Sequence, residues 1–91
     1  MEIKWTDVDP ETEERRFLRA ERFAQKWRFA FRAKRGEQWD WNLTPTVAMW
    51  EHILDLLERK YRRRDGVSDE DLAEVKVLVA NARRRQAADR G

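Results

Sequence analysis

Cysteine is absent from this sequence, and there is one histidine, with three glycines and two prolines. Without cysteine there is no disulfide, no thiolate metal site and no cysteine nucleophile, so the fold must be held by packing alone. A single histidine, His52, excludes a paired-histidine metal site and leaves no choice of partners for a serine, histidine and aspartate triad. Gly36 and Gly66 stand singly and Gly91 is terminal, which excludes a glycine-rich phosphate loop. No run approaches the roughly 18 apolar residues of a membrane helix, and Met1-Glu2-Ile3-Lys4-Trp5 lacks the apolar core of a signal peptide. These absences predict a soluble, cytoplasmic protein with no membrane partner, no cofactor, no metal and no catalytic residue.

An excess of charge of one sign is also missing. Twenty Lys and Arg against eighteen Asp and Glu leave a net charge of +2 over 91 residues, unlike a basic nucleic-acid tail or an acidic disordered segment. The length suits one small domain spanning residues 1–91. The segment 83–91 is polar and without an apolar partner, and is expected to fray. Aromatics are plentiful: five Trp, four Phe and one Tyr, each able to bury on the order of 150 to 250 Å².

The C-terminal half reads as a helical hairpin, with helices over residues 45–64 and 69–85. Thr44 followed by Pro45 is a helix start, the hydroxyl capping and the proline filling the first turn. Val47, Trp50, Leu54, Leu57 and Tyr61 share a stripe widened by Met49, Ile53 and Leu56. Gly66 suits the left-handed residue beyond the helix, and Ser68 with Asp71 resembles a capping box. Leu72, Val75, Leu78, Val79 and Ala82 form the second stripe.

In the N-terminal half Ile3 and Trp5 alternate with polar residues, and Asp9-Pro10 suits a type I turn. Trp27, Phe29, Phe31 and Ala33 alternate with Arg28, Ala30, Arg32 and Lys34, the strongest period-two signal in the chain. A tight turn at Ala24-Gln25 would pair Arg22 with Trp27, Ala20 with Phe29 and Leu18 with Phe31 on a core face. The opposite face would join Phe17 to Arg32, Arg19 to Ala30, Glu21 to Arg28 and Phe23 to Lys26. The expected fold is therefore α+β: an antiparallel β-hairpin or three-stranded meander, packed by Leu18, Trp27, Phe29 and Phe31 against the helical hairpin. An all-α bundle is the alternative. Residues 14–34 contain no Val, Ile or Thr, Phe17, Ala20, Ala24, Trp27 and Phe31 also make a helical stripe, and Ala24-Gln25 lacks the Gly or Asn of a two-residue turn.

Most charged groups have a structural explanation. Asp55 with Arg59 and Glu58 with Arg62 are i,i+4 pairs on a solvated helix face. His52 beside Glu51 is a helical surface residue. Arg62-Arg63-Arg64 and Arg83-Arg84-Arg85 each close a helix, where cations complement the dipole. Lys26 to Gly36 differs, because it holds Lys26, Arg28, Arg32, Lys34 and Arg35 and no acid. Arg28, Arg32 and Lys34 are expected to share the outer sheet face with Arg19, flanked by Phe17 and Phe23, while Arg35 extends it. Trp39 and Trp41 are expected to project to opposite sides of an extended loop, at least one of them exposed unless they anchor the loop onto the helix bearing Trp50. The functional expectation is a non-enzymatic interaction module. It would bind a protein partner through the basic aromatic face or the Trp39 to Trp41 loop, with RNA or single-stranded DNA on the same face as the alternative.

Overall fold

A computed structural model describes residues 1–89. Its order is β1 (Glu2–Val8), β2 (Arg15–Phe23), β3 (Lys26–Arg32), β4 (Asp40–Leu43), α1 (Val47–Arg62) and α2 (Asp69–Asp89). The fold is α+β and the all-α alternative is not supported. Two compact units, Met1–Thr44 and Pro45–Gly91, divide the chain at the first residue before α1 that cannot donate a backbone hydrogen bond.

The first unit is an antiparallel meander in the order β1-β2-β3-β4. Its central register pairs Leu18 with Phe31, Ala20 with Phe29, Arg22 with Trp27, and Phe17 with Arg32, as the alternation predicts. The turn works without Gly or Asn because Ala24 and Gln25 both take left-handed backbone, at φ 51° and 64°, the geometry whose twist suits two-residue hairpins. β1 joins through Ile3 opposite Ala20 and Trp5 opposite Leu18. Asp9 organises the connection to β2: its carboxylate accepts from the Glu11 N–H at 2.9 Å, and its N–H donates to the Glu14 carbonyl at 2.9 Å.

On one sheet face Ile3, Leu18, Ala20 and Phe29 are buried. The Trp5 ring meets Phe29 edge-on at 6.4 Å. That face ends in an ion pair that the sequence did not announce. Arg16, opposite Asp7 in the β1–β2 register, donates from Nε and Nη2 to the two Asp7 oxygens at 2.7 and 3.2 Å, and its pKa is raised chiefly by that hydrogen bond.

β4 is the strand missing from the expected hairpin or three-stranded meander. Asp and Asn make it a poor strand former, and it is held by Leu43 opposite Phe29 and Asp40 opposite Phe31, with an irregularity between them.

In the second unit Met49, Trp50, Ile53 and Leu57 are the buried residues of α1, and Leu72, Val75, Val79 and Ala82 those of α2. Thr46, rather than Thr44, caps α1, its hydroxyl accepting from the Met49 N–H at 3.2 Å. Pro45 thus precedes the cap, in the extended approach that its ring favours. At the other end the Asp65 N–H reaches the Lys60 carbonyl and the Arg64 N–H reaches that of Tyr61. This is a Schellman closure with Arg64 at φ 56° as the left-handed residue. Gly66 is also left-handed, at φ 78°, but follows the closure. Ser68 and Asp71 form the expected reciprocal capping box, both bonds at 3.1 Å. α2 is continuous through Asp89, so Arg83, Arg84 and Arg85 lie inside it and do not close it. Of the segment expected to fray, 83–89 are helical, and 90 and 91 lie outside the described residues. Among the described residues no helix is long and apolar enough to cross a membrane.

Candidate functional site

The β2–β3 register turns Phe17, Arg19, Glu21 and Phe23 to the same side as Arg32, Ala30, Arg28 and Lys26. β1 adds Glu2, Lys4 and Thr6, opposite Glu21, Arg19 and Phe17. Of the residues expected on this face, Arg19, Arg28, Arg32, Arg35 and Phe17 come together, and Trp39 and Trp41, expected in a separate loop, join them, giving alternating rings and guanidiniums. The Arg28 guanidinium carbon lies 3.9 Å from the Trp41 ring centre, and that of Arg32 lies 4.3 Å from Trp39. Arg19 lies 5.7 Å from both indoles, while Arg32 and Arg35 approach Phe17 at 5.9 and 5.8 Å. Such contacts strengthen when partly removed from water, and Phe17, Trp39, Trp41, Arg19 and Arg32 are all half-buried. The smallest residue of the face, Ala30, is completely buried at its centre.

The placement of the two tryptophans corrects the expectation that they diverge. Residues two apart in an extended segment point the same way, so Trp39 and Trp41 both meet the arginine face and do not form a separate loop site. Lys34 is a second correction: β3 ends at Arg32, which leaves Lys34 exposed in the following turn rather than on the ladder. Phe23 keeps its predicted register beside Lys26 but stands clear at the hairpin tip, 86% exposed.

Carboxylates divide the face into two regions. Glu21 bridges Arg19 at 2.6 Å and Arg28 at 2.8 Å, and Glu2 reaches Arg19 at 2.8 Å and Lys4 at 3.2 Å. The Arg28 hydrogen bond is the first cause holding the Glu21 carboxyl below its ordinary pKa. Arg32 instead donates to the Glu37 carbonyl at 3.3 Å, and Arg35 rests on Phe17. Neither has a carboxylate partner among the described residues. The buried Nε atoms of Arg19 and Arg32 have no hydrogen-bond acceptor, their guanidiniums lying against rings. Glu2, Lys4 and Glu37 were not among the residues singled out from the sequence. Continuing the period-two reading from β2 into β1 would have brought in the first two, whereas Glu37 contributes a backbone carbonyl that no side-chain pattern marks.

On α1, Glu51 and His52 are exposed, and Glu51 pairs with Arg83 at 3.4 Å. Asp55 with Arg59, at 2.7 Å, and Glu58 with Arg62, at 3.9 Å, form the expected i,i+4 pairs. Among the described residues no three histidine or carboxylate side chains gather as a metal site. No protein-family model matches the chain, and no curated protein or solved structure is significantly similar to it.

Proposed function

We propose that this chain is a non-enzymatic interaction module that docks an acidic protein segment on the arginine and tryptophan face of its sheet. The observation that carries the reading is the pair Arg32 and Arg35, cations without a carboxylate partner among the described residues, at one end of a face where guanidiniums lie against rings. A guanidinium held against a ring loses less side-chain freedom on binding, and its outward N–H groups can still donate to a carboxylate. Arg and Trp are also the residues most often found at the energetic centre of protein interfaces.

Nucleic acid on the same face is the weaker reading. Stacking a base needs an open ring, and one side of Trp39 and one of Trp41 already carry a guanidinium at 4.3 and 3.9 Å. Glu2 and Glu21 also interrupt the track that a phosphate backbone would follow. Fluorescence anisotropy of a labelled acidic peptide, in parallel with mixed-sequence single-stranded RNA near physiological salt, tests the choice. The peptide is expected to bind more tightly, and Arg28→Ala with Arg32→Ala to weaken it by about tenfold or more. Tighter binding of RNA with a steep salt dependence, or peptide binding indifferent to both substitutions, would refute the reading.

A further inference from the structure

The end of the face near Arg35 is a small site in its own right. Lys4, Thr6, Phe17, Arg32, Arg35 and Trp39 contribute to the wall of a depression of about 290 Å³ that no carboxylate side chain lines. Lys4 is engaged by Glu2, which leaves Arg32 and Arg35 as the lining cations without a carboxylate partner among the described residues. Their guanidinium carbons lie over the Trp39 and Phe17 rings, at 4.3 and 5.8 Å. Arg32 commits one N–H to the Glu37 carbonyl and its Nε is buried, which leaves its remaining Nη N–H groups for a ligand. The volume is at the lower limit of small-molecule sites. It suits one anionic head group and the first atoms of its carrier.

We infer that this corner receives a phosphate monoester carried on the acidic partner segment, that is, a phosphorylated side chain. The inference rests on the reading of the sheet face as a docking surface for an acidic protein. Charge and valence select the head group. A carboxylate brings one charge and two oxygens, whereas a phosphate monoester brings about −1.5 to −2 near pH 7 and three acceptor oxygens, matched to two arginine forks. The aromatic walls accommodate the carrier, because they are apolar where the head group ends.

Phenyl phosphate titrated into the intact protein is the minimal probe, followed by NMR at the indole N–H of Trp39 and the Nε–H of Arg32. Saturable shifts are expected at both. Affinity is expected to rise between about pH 5 and 7, through the second phosphate ionisation near 6. Arg35→Gln is expected to weaken binding by about tenfold or more. Arg35 is exposed and lies over the Phe17 ring, so this variant separates recognition from folding better than Arg32→Gln does. Benzenesulfonate, a monoanion of similar shape, is expected to bind much more weakly. Equal binding of the sulfonate, a flat pH profile or indifference to Arg35→Gln overturns the inference.

An acidic peptide with and without one phosphorylated side chain then separates the two claims. Tighter binding of the phosphorylated form, lost in Arg35→Gln, supports both. Equal binding of the two peptides overturns the phosphate corner and leaves the docking face standing. Binding of phenyl phosphate but of neither peptide overturns the docking face and, with it, the carrier assigned here. A preference for 5′-phosphorylated RNA over the phosphopeptide also overturns it.

Discussion

Glu21 sits where two arginines of the sheet face meet, and its titration reaches both. Its folded pKa is depressed, first by the Arg28 hydrogen bond, so the stabilisation it provides is complete above its ordinary value and is lost as the pH falls through the lower folded value. The urea midpoint of the parent protein is therefore expected to fall more steeply than that of Glu21→Gln as the pH drops below about 4.5, near the usual glutamate range. Identical acid limbs would show that the bridge does not influence stability. At this scale legibility depended on whether a partner could be reached by counting along one hairpin. Glu21 with Arg28 follows from the turn position, and both i,i+4 pairs on α1 follow from helical spacing. Arg16 with Asp7 requires the β1–β2 register as well, and the interlocking of Trp39 with Arg32 requires knowing that the chain returns alongside β3.

Among the elements, the β2–β3 hairpin combines the clearest sequence pattern with the least suitable turn residues. Three aromatic residues alternating with Arg28, Ala30 and Arg32 marked the strand and the turn position set its register, yet Ala24 and Gln25 occupy left-handed backbone that Asn and Gly adopt at lower cost. Ala24→Asn with Gln25→Gly is expected to stabilise the protein by about 1 kcal/mol, read as a rise in Tm of about 4–8 °C, with the register unchanged. A fall in Tm would mean that the present side chains stabilise the tip in another way. β4 was illegible for the opposite reason: it is four residues long, two of them Asp40 and Asn42, and its pairing with β3 is irregular. The two helices were legible from their stripes, while their ends moved. Thr44 and Thr46 flank Pro45 and either hydroxyl satisfies the capping rule, so the apolar periodicity does not choose between them. Arg64 took the left-handed position expected of Gly66 because the Schellman bonds close two residues earlier.

For the molecule as a whole, the net charge of +2 averages over regions that behave differently. The helical arginines Arg59, Arg62 and Arg83 are matched to helical acids, whereas Arg32 and Arg35 at one end of the sheet have no carboxylate partner among the described residues. Binding of the acidic peptide should accordingly follow position rather than sum. Replacing Arg62, Arg63 and Arg64 by Gln removes three charges and is expected to change affinity by no more than about threefold near 0.15 M salt, where exposed charges are screened beyond roughly 8 Å. Replacing Arg32 and Arg35 by Gln removes only two and is expected to abolish measurable binding. Comparable losses in both variants, measured by the same anisotropy assay, would show that the overall field governs association. The buried Ala30 carries a different consequence. A methyl group at the centre of a face otherwise made largely of long side chains lets rings and arginine stems settle close to the strands, so at Ala30 the side of β3 that looks polar in sequence is shielded from water as Phe29 is on the other side. The layer of rings and guanidiniums is thus also a roof over the ladder at Ala30. A ligand that drew one of those rings aside would admit water to the ladder beneath it, which ties recognition and local unfolding to the same few side chains.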